Sequence, residues 1–151
     1  MLDPKPSLYE HDFYAWANQQ AALLRAGQLS SADIDHIAEE IESMGRTEKR
    51  ELISRLEILL LHLLKWRYQP GRRGSSWEAT IQVQRDDLID HLNDNPSLKA
   101  KLDEVLVAAY RKAAILVTGE TDLPKSVFPA VCPWTFEQIM DADFWPDGEG
   151  H

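Results

Sequence analysis

The sequence predicts an all-α fold, a five-helix bundle with a central third helix. Apolar residues recur at intervals of three and four through most of the 151 residues, which is the spacing of one helix face. No segment shows the strict alternation of a half-buried strand. The composition, 44% hydrophobic and 27% charged, is that of one globular domain and excludes a disordered chain. We therefore expect a single all-helical domain over residues 1–151.

The first two helices are predicted from their apolar faces and from the residues that flank them. The first has an apolar face between Phe13 and Leu24, and Gly27 is expected to end it. Serines at 30–31 offer an N-cap to the second helix, which Gly45 is expected to end. The apolar stripe of this second helix consists of Ile34, Ile37, Ala38, Ile41 and Met44.

The third helix is expected to run from Thr47, its N-cap, to about Trp66. Its main apolar face consists of Leu52, Ile53, Leu56, Leu59, Leu60, Leu63 and Leu64. Further apolar residues lie on its other side, and such a helix is typically buried among its neighbours. This pattern places the third helix at the centre of the bundle.

The fourth and fifth helices follow a loop rich in proline and glycine at 68–75. Ser75 and Glu78 are expected to open the fourth helix as a capping box. Asn95, followed directly by proline, is expected to cap the fifth helix, and Gly119 to close it.

Residues 118–151 are predicted to form a C-terminal arm that wraps the bundle. Three prolines within 118–134 exclude a regular helix there. The same stretch is too apolar for a free linker, because it contains Leu123, Val127, Phe128, Val131 and Trp134. Thr135 and Gln138 predict a last short capped helix at about 135–141.

Cysteine content and hydropathy suggest a compartment. The single cysteine, Cys132, excludes an internal disulfide and a cysteine-rich zinc site. The first residues lack the basic and apolar regions of a signal peptide. The richest apolar run, from Ile58 to Leu64, is far shorter than the ~20 residues of a membrane-spanning helix. We therefore expect a cytoplasmic protein that does not enter a membrane.

Charge is divided unevenly along the chain. The net charge is −9, but residues 45–75 hold eight basic and three acidic residues. The flanking segments are acidic, with two basic and eight acidic residues in 1–44 and six basic and 14 acidic residues in 76–151. Self-neutralisation between these segments is the favoured interpretation. The acidic balance makes nucleic acid an unlikely partner, since phosphate contacts require Lys and Arg.

The second helix carries an unusual acidic edge. Glu39 and Glu42 lie on one side of it and Glu40 on another, with His36 expected to point to solvent. Like charges at these spacings repel, so a counter-charge should offset them. Salt bridging by the basic segment is favoured over a metal, because the Glu-x-x-His motif of di-iron bundles is absent. We expect no metal and no cofactor.

Three further polar residues complete a candidate cluster with these glutamates. His62 lies on a narrow polar stripe of the most apolar helix, with Lys65 beside it, and is expected to be a hydrogen-bonding core residue. Arg85 falls on the apolar face of the fourth helix. A buried arginine requires a partner, and we expect a carboxylate of the second helix. The candidate polar cluster comprises Glu39, Glu40, Glu42, His62, Lys65 and Arg85.

Residues 65–77 mix cations, aromatics and glycines directly before a helix. Arginine forks, free amides and a helix N-terminus suit phosphate, and the aromatic rings suit stacked bases. The segment contains neither a P-loop nor another known phosphate-binding motif. The candidate anion-binding residues are Arg67, Arg72, Arg73, Ser76 and Trp77.

Several short strings occur in the order typical of one bacterial family. They are Tyr9–Trp16, Ala38–Gly45, Leu61–Trp66, Gln69-Pro70, Ser76–Ile81, Gln84-Arg85, Pro96–Leu98 and Phe144–Pro146. On these residues the chain resembles the domain of unknown function 29 family. The resemblance implies an all-helical fold and a bacterial source, and brings no activity or substrate. It also implies that seven residues occupy family motif positions: Glu39, Glu40, Glu42, His62, Lys65, Trp77 and Arg85.

Three functions follow as hypotheses. The first is a non-enzymatic intracellular interaction module that binds a protein partner or a second copy, favoured because no complete catalytic constellation occurs. The second is a nucleic-acid or phosphate-ligand binder that uses residues 65–77. The third is a metal-dependent hydrolase built on Glu39, Glu40, Glu42 and His62.

Overall fold

The computed structural model describes residues 7–147. Within that range the chain forms six α-helices and no strand, so the all-α prediction is confirmed. The helices are α1 (Leu8–His11), α2 (Phe13–Arg25), α3 (Ile34–Tyr68), α4 (Ser75–Asp94), α5 (Leu102–Thr121) and α6 (Phe136–Met140). The chain divides into two compact units, and the boundary lies inside α3 between Thr47 and Glu48. The single-domain organisation stays a prediction.

The expected break between the second and third helices is wrong, because both belong to the 35-residue helix α3. Gly45 does not adopt the left-handed backbone that ends a helix, whereas Gly27 does, with a φ of 72°. The hydroxyl of Thr47 donates to the Ser43 carbonyl oxygen at 3.0 Å, so it bonds back into the helix and caps nothing. The described chain thus has four long helices and two short ones.

The first unit consists of α1, α2 and the first part of α3. Ser7 caps α1 and Asp12 caps α2, each by accepting a backbone N–H three residues on. Trp16 and Gln20 are its buried residues on α2. The Gln20 side chain accepts the Asp33 backbone N–H at 2.7 Å, which joins α2 to the start of α3.

The second unit packs the remainder of α3 against α4 and α5. Arg55 pairs with Asp87 at 2.9 Å and His91 approaches Glu48, so α4 runs antiparallel to α3. The pairs Lys49–Glu104 and Lys65–Glu120 show that α5 runs parallel to α3. The fully buried leucines of α3 confirm its central position in this unit: Leu52, Leu56, Leu59, Leu60, Leu63 and Leu64.

Three predicted helix ends are displaced in the second unit. α4 begins at Ser75 with Gly74 as its N-cap and no side-chain cap, so the expected capping box at Ser75 is wrong. Asn95 precedes a 3-10 turn over Pro96–Lys101, and α5 starts only at Leu102. α5 continues through Gly119 to Thr121, because the preceding apolar face keeps the helix packed.

The C-terminal arm packs on the second unit, as predicted. Phe128 and Trp134 are 6% and 7% exposed, and Ile139 of α6 is fully buried. Thr135 and Gln138 form the predicted capping box at the start of α6. Within the described range, no helix combines the length and the apolar composition needed to cross a membrane.

Candidate functional site

Arg85 is 3% exposed, which confirms its predicted burial, but its predicted carboxylate partner is wrong. Its Nε donates to the Ile139 carbonyl oxygen at 2.8 Å and its Nη2 to the Phe144 carbonyl oxygen at 2.7 Å. The guanidinium also lies 5.4 Å from the ring centroid of Trp145. Burial lowers the pKa of Arg85. This arginine joins α4 to the C-terminal arm.

Glu40 of α3 takes part in a polar network of the first unit. The Tyr9 hydroxyl donates to the Glu40 carboxylate, and this bond and burial raise the pKa of Tyr9 to about 12. Glu39 and Glu42 are exposed. A site on these glutamates stays a prediction.

His36 does not point freely to solvent, in contrast to its prediction. Its Nδ1 donates to Asp33 Oδ2 at 2.7 Å, and its ring stacks on Tyr9 with 3.9 Å between centroids. Asp33 also accepts the Trp16 indole N–H at 3.1 Å. The carboxylate raises the pKa of His36, and the imidazole lowers that of Asp33. These contacts fix the start of α3, since Asp33 lies directly before that helix.

His62 and Lys65 make their contacts in the second unit. The Nδ1 of His62 donates to the Ile58 carbonyl oxygen at 2.8 Å, and burial lowers the pKa of this imidazole. Lys65 pairs with Glu120 at 3.0 Å. His62 is therefore the predicted hydrogen-bonding residue, although it is half-buried. The predicted polar cluster of His62, Lys65 and Arg85 with Glu39, Glu40 and Glu42 stays a prediction.

The basic-aromatic segment 65–77 is largely engaged within the second unit. Arg73 donates to the carbonyl oxygens of Trp66 and Pro146 at 2.7 and 3.3 Å. Trp66 packs on Trp145 with 4.7 Å between ring centroids. Arg73 thus serves as a clamp on the arm.

The other candidate anion ligands of this segment differ in exposure. Arg67 lies over the Tyr68 ring and Lys65 over the Trp77 ring. Arg72 and Ser76 are exposed. An anion site here stays a prediction.

An acidic groove of about 440 Å³ lies between α3 and α4. Glu48, Glu51 and His91 bring one ligand atom each to within 4.8 Å of one another. His91 Nε2 already donates to the Glu48 carbonyl oxygen at 2.8 Å. Arg55 bonds both Glu51 and Asp87. Glu51 and His91 thus already have hydrogen-bond partners within the protein.

His91 lies in the last turn of α4, and no sequence pattern marks it as a ligand. The i, i+3 spacing of Glu48 and Glu51 was visible in the sequence. The antiparallel register of α3 and α4, which brings His91 beside them, was not.

An apolar groove of about 1570 Å³ lies between α5 and residues 125–132 of the arm. Three aliphatic side chains on its walls are strongly exposed: Val107 at 70%, Ile115 at 66% and Val131 at 77%. They line the groove together with Leu106, Tyr110, Ala114, Phe128, Pro129 and Ala130. We call this feature the α5 groove.

The α5 groove has a basic lining. Arg111 and Lys125 are its charged residues, and no carboxylate is among the described residues that line it. That is unusual in a chain of net charge −9. A bound segment would therefore meet cations at the edge of an apolar surface.

Tyr110 holds the arm side of the groove, on which Cys132 lies. The Tyr110 hydroxyl donates to the Pro129 carbonyl oxygen at 2.6 Å, and burial raises the pKa of Tyr110 to about 12. Cys132 is a free, half-buried thiol whose pKa is raised by burial. The arm wall is thereby tied to α5.

No sequence pattern predicts this groove. Its one local signal is the apolar content of α5 outside the buried stripe, chiefly Val107 and Ile115. The second wall comes from the arm, which is close in space only after folding.

The fold and the groove define an all-helical protein with an open apolar groove on α5. The chain belongs to the family described as Domain of unknown function DUF29, whose sequence profile matches residues 8–145. The resemblance drawn from the short strings is therefore confirmed. No curated protein and no solved structure matches the chain.

Proposed function

We propose that the protein is a non-enzymatic interaction module that binds an acidic amphipathic helix of a protein partner in the α5 groove. The observation that carries this proposal is the combination of exposed aliphatic side chains with an exclusively basic charged lining. A bacterial cytoplasm is the proposed setting, and the single free cysteine suits such a reducing compartment.

The size and composition of the groove favour a peptide segment over a small ligand. Small-molecule sites typically occupy about 300–1,000 Å³, and this groove is larger, at about 1570 Å³. Val107, Ile115 and Val131 all line the groove, and each is more than half exposed. Exposed apolar patches of this kind mark interaction surfaces, because covering them removes apolar area from water.

Charge selects the kind of segment. Arg111 and Lys125 are both exposed. They can therefore contact carboxylates of a bound segment without a rearrangement that uncovers them. An amphipathic helix that lays aliphatic residues into a groove and acidic residues along its edges satisfies both features. The net charge of −9 repels an acidic partner at long range, but salt screens distant charges, so Arg111 and Lys125 dominate once the segment lies in the groove.

A designed peptide tests the proposal. A helix of about 20 residues, with leucines at i, i+3, i+4 and i+7 and glutamates on the other face, should bind in a fluorescence anisotropy titration. The same peptide with lysines in place of glutamates should bind at least about tenfold more weakly. Ile115→Lys should abolish binding. The matched control is Ile89→Lys on α4, since Ile89 is also exposed and lies outside the groove.

Equal binding of the acidic and basic peptides would overturn the charge assignment. Equal loss in Ile89→Lys and Ile115→Lys would show that the peptide does not use the α5 groove. Circular dichroism should confirm that both variants keep the helical content of the parent.

A further inference from the structure

We infer that the α5 groove receives the first part of α3 from a second copy of this chain. This inference rests on the proposed function, because it names the partner of the same groove. The segment concerned is the α3 stripe, defined by Ile34, Ile37, Ile41 and Met44. It is the acidic, amphipathic and exposed helical surface that the groove chemistry requires.

The α3 stripe is apolar and open to solvent. Ile34 is 51% exposed, Ile41 63% and Met44 68%. Intervals of three, four and three residues place the four side chains on one face of the helix. A helix usually buries such a face against another element. The second copy supplies a surface that covers it.

The charges on the two surfaces are complementary. Glu39 and Glu42 are exposed beside the stripe, and residues 1–44 hold eight acidic against two basic residues. The groove presents Arg111 and Lys125. Attraction between these carboxylates and cations steers the stripe of one copy to the groove of another. Pairing of two stripes is disfavoured, because carboxylates would then face carboxylates.

The stripe and the groove are different surfaces, so the contact pairs unlike surfaces of the two copies, and a two-fold axis makes the exchange reciprocal. If each copy inserts its stripe into the groove of the other, two such contacts close a dimer. A variant without a functional stripe keeps its groove, and a variant without a functional groove keeps its stripe. This asymmetry allows a complementation experiment.

The experiment uses the full chain with Met44→Lys as the stripe variant and Ile115→Lys as the groove variant. By light scattering after size exclusion, the parent should associate with rising concentration to twice its mass of 17.3 kDa. Each variant alone should stay monomeric. Their equimolar mixture should form a 1:1 heterodimer, because one intact stripe then meets one intact groove. Ile89→Lys is the matched control and should associate like the parent.

Three results would overturn the inference. A mixture that stays monomeric while the parent dimerises would show a like-with-like interface. Unchanged association of Met44→Lys, and of a second stripe variant, Ile41→Lys, would show that the stripe is not involved. A parent that is monomeric at all concentrations would exclude the second copy as the partner.

The designed acidic peptide separates this inference from the proposed function. Its binding to a monomeric parent chain would leave the groove function standing and refute only the second copy. Absence of both peptide binding and association would refute both.

Discussion

Arg85 Nε donates a hydrogen bond to the carbonyl oxygen of Ile139 at 2.8 Å, across 54 residues of sequence. A second donation, to Phe144, makes the arginine a two-point link between α4 and the arm. Its Nη1 is buried with no hydrogen-bond partner among the described residues. A buried guanidinium ordinarily pairs with a carboxylate. Here backbone carbonyl dipoles and the Trp145 ring stabilise its positive charge instead.

Replacing this arginine should loosen the arm. Arg85→Met removes the donors and leaves the carbonyl oxygens of Ile139 and Phe144 without them. The free energy of unfolding should fall by about 2 kcal/mol, since hydrogen bonds from charged groups contribute about 1.5–3 kcal/mol each and relief of charge burial offsets part of the loss. Urea denaturation measures it. Arg111→Met, on an exposed arginine, should change stability by less than about 0.5 kcal/mol.

Glycine 45 should be replaceable with a gain in stability. It lies inside α3, and a Cβ at this position would meet no atom within 4 Å. Gly45→Ala should raise the free energy of unfolding by about 0.5–1 kcal/mol, because glycine is a poor helix former. Gly27→Ala is the control with equal space but a φ of 72°, and it should be destabilising by about 1 kcal/mol. Thermal denaturation that ranks the two variants the other way would contradict the continuous helix.

The pairing of Asp33 with His36 should depend on pH in a defined direction. The hydrogen bond raises the pKa of His36 above 6.5 and lowers that of Asp33 below 3.8. The contribution of His36 is thus complete below about pH 6.5 and lost as pH rises through its raised pKa. The contribution of Asp33 is present above about pH 3.8 and lost as pH falls through its lowered pKa. The pair is therefore most stabilising between these limits.

Titration of the imidazole signals by NMR tests this pairing. The midpoint of His36 should lie above 6.5 and should fall in Asp33→Asn. His62, whose pKa is lowered by burial, should titrate below 6.5 in both proteins and serves as the internal control. A midpoint of His36 that does not respond to Asp33→Asn would refute the pair.

Tyr110→Phe should free the arm wall of the α5 groove. Loss of the bond to the Pro129 carbonyl oxygen should cost about 1 kcal/mol of stability and should speed alkylation of Cys132, the one thiol of the chain. Mass spectrometry after timed exposure to iodoacetamide measures the rate. Tyr14→Phe removes a hydroxyl from a side chain that is 80% exposed and should leave both quantities unchanged.

Local sequence patterns were sufficient to predict most of the helical segments, the capping box at Thr135, the turn at Gly27 and the burial of Arg85. Each depends on residues three or four apart, or on the polarity of one helix face. The break at Gly45 was predicted wrongly, because one glycine costs a helix only about 1 kcal/mol. The packing of the leucines on α3 outweighs that cost.

The tertiary structure alone decided which surfaces meet. A helical wheel shows that Arg85 faces inward, but apolar burial has no direction and does not specify the carbonyl oxygens that face it. The convergence of Glu48 and Glu51 with His91 requires the antiparallel register of α3 and α4. The α5 groove requires the arm to fold back beside α5. In each case the partners are dozens of residues apart or on separate elements, so their proximity follows from how the elements pack and from no local pattern.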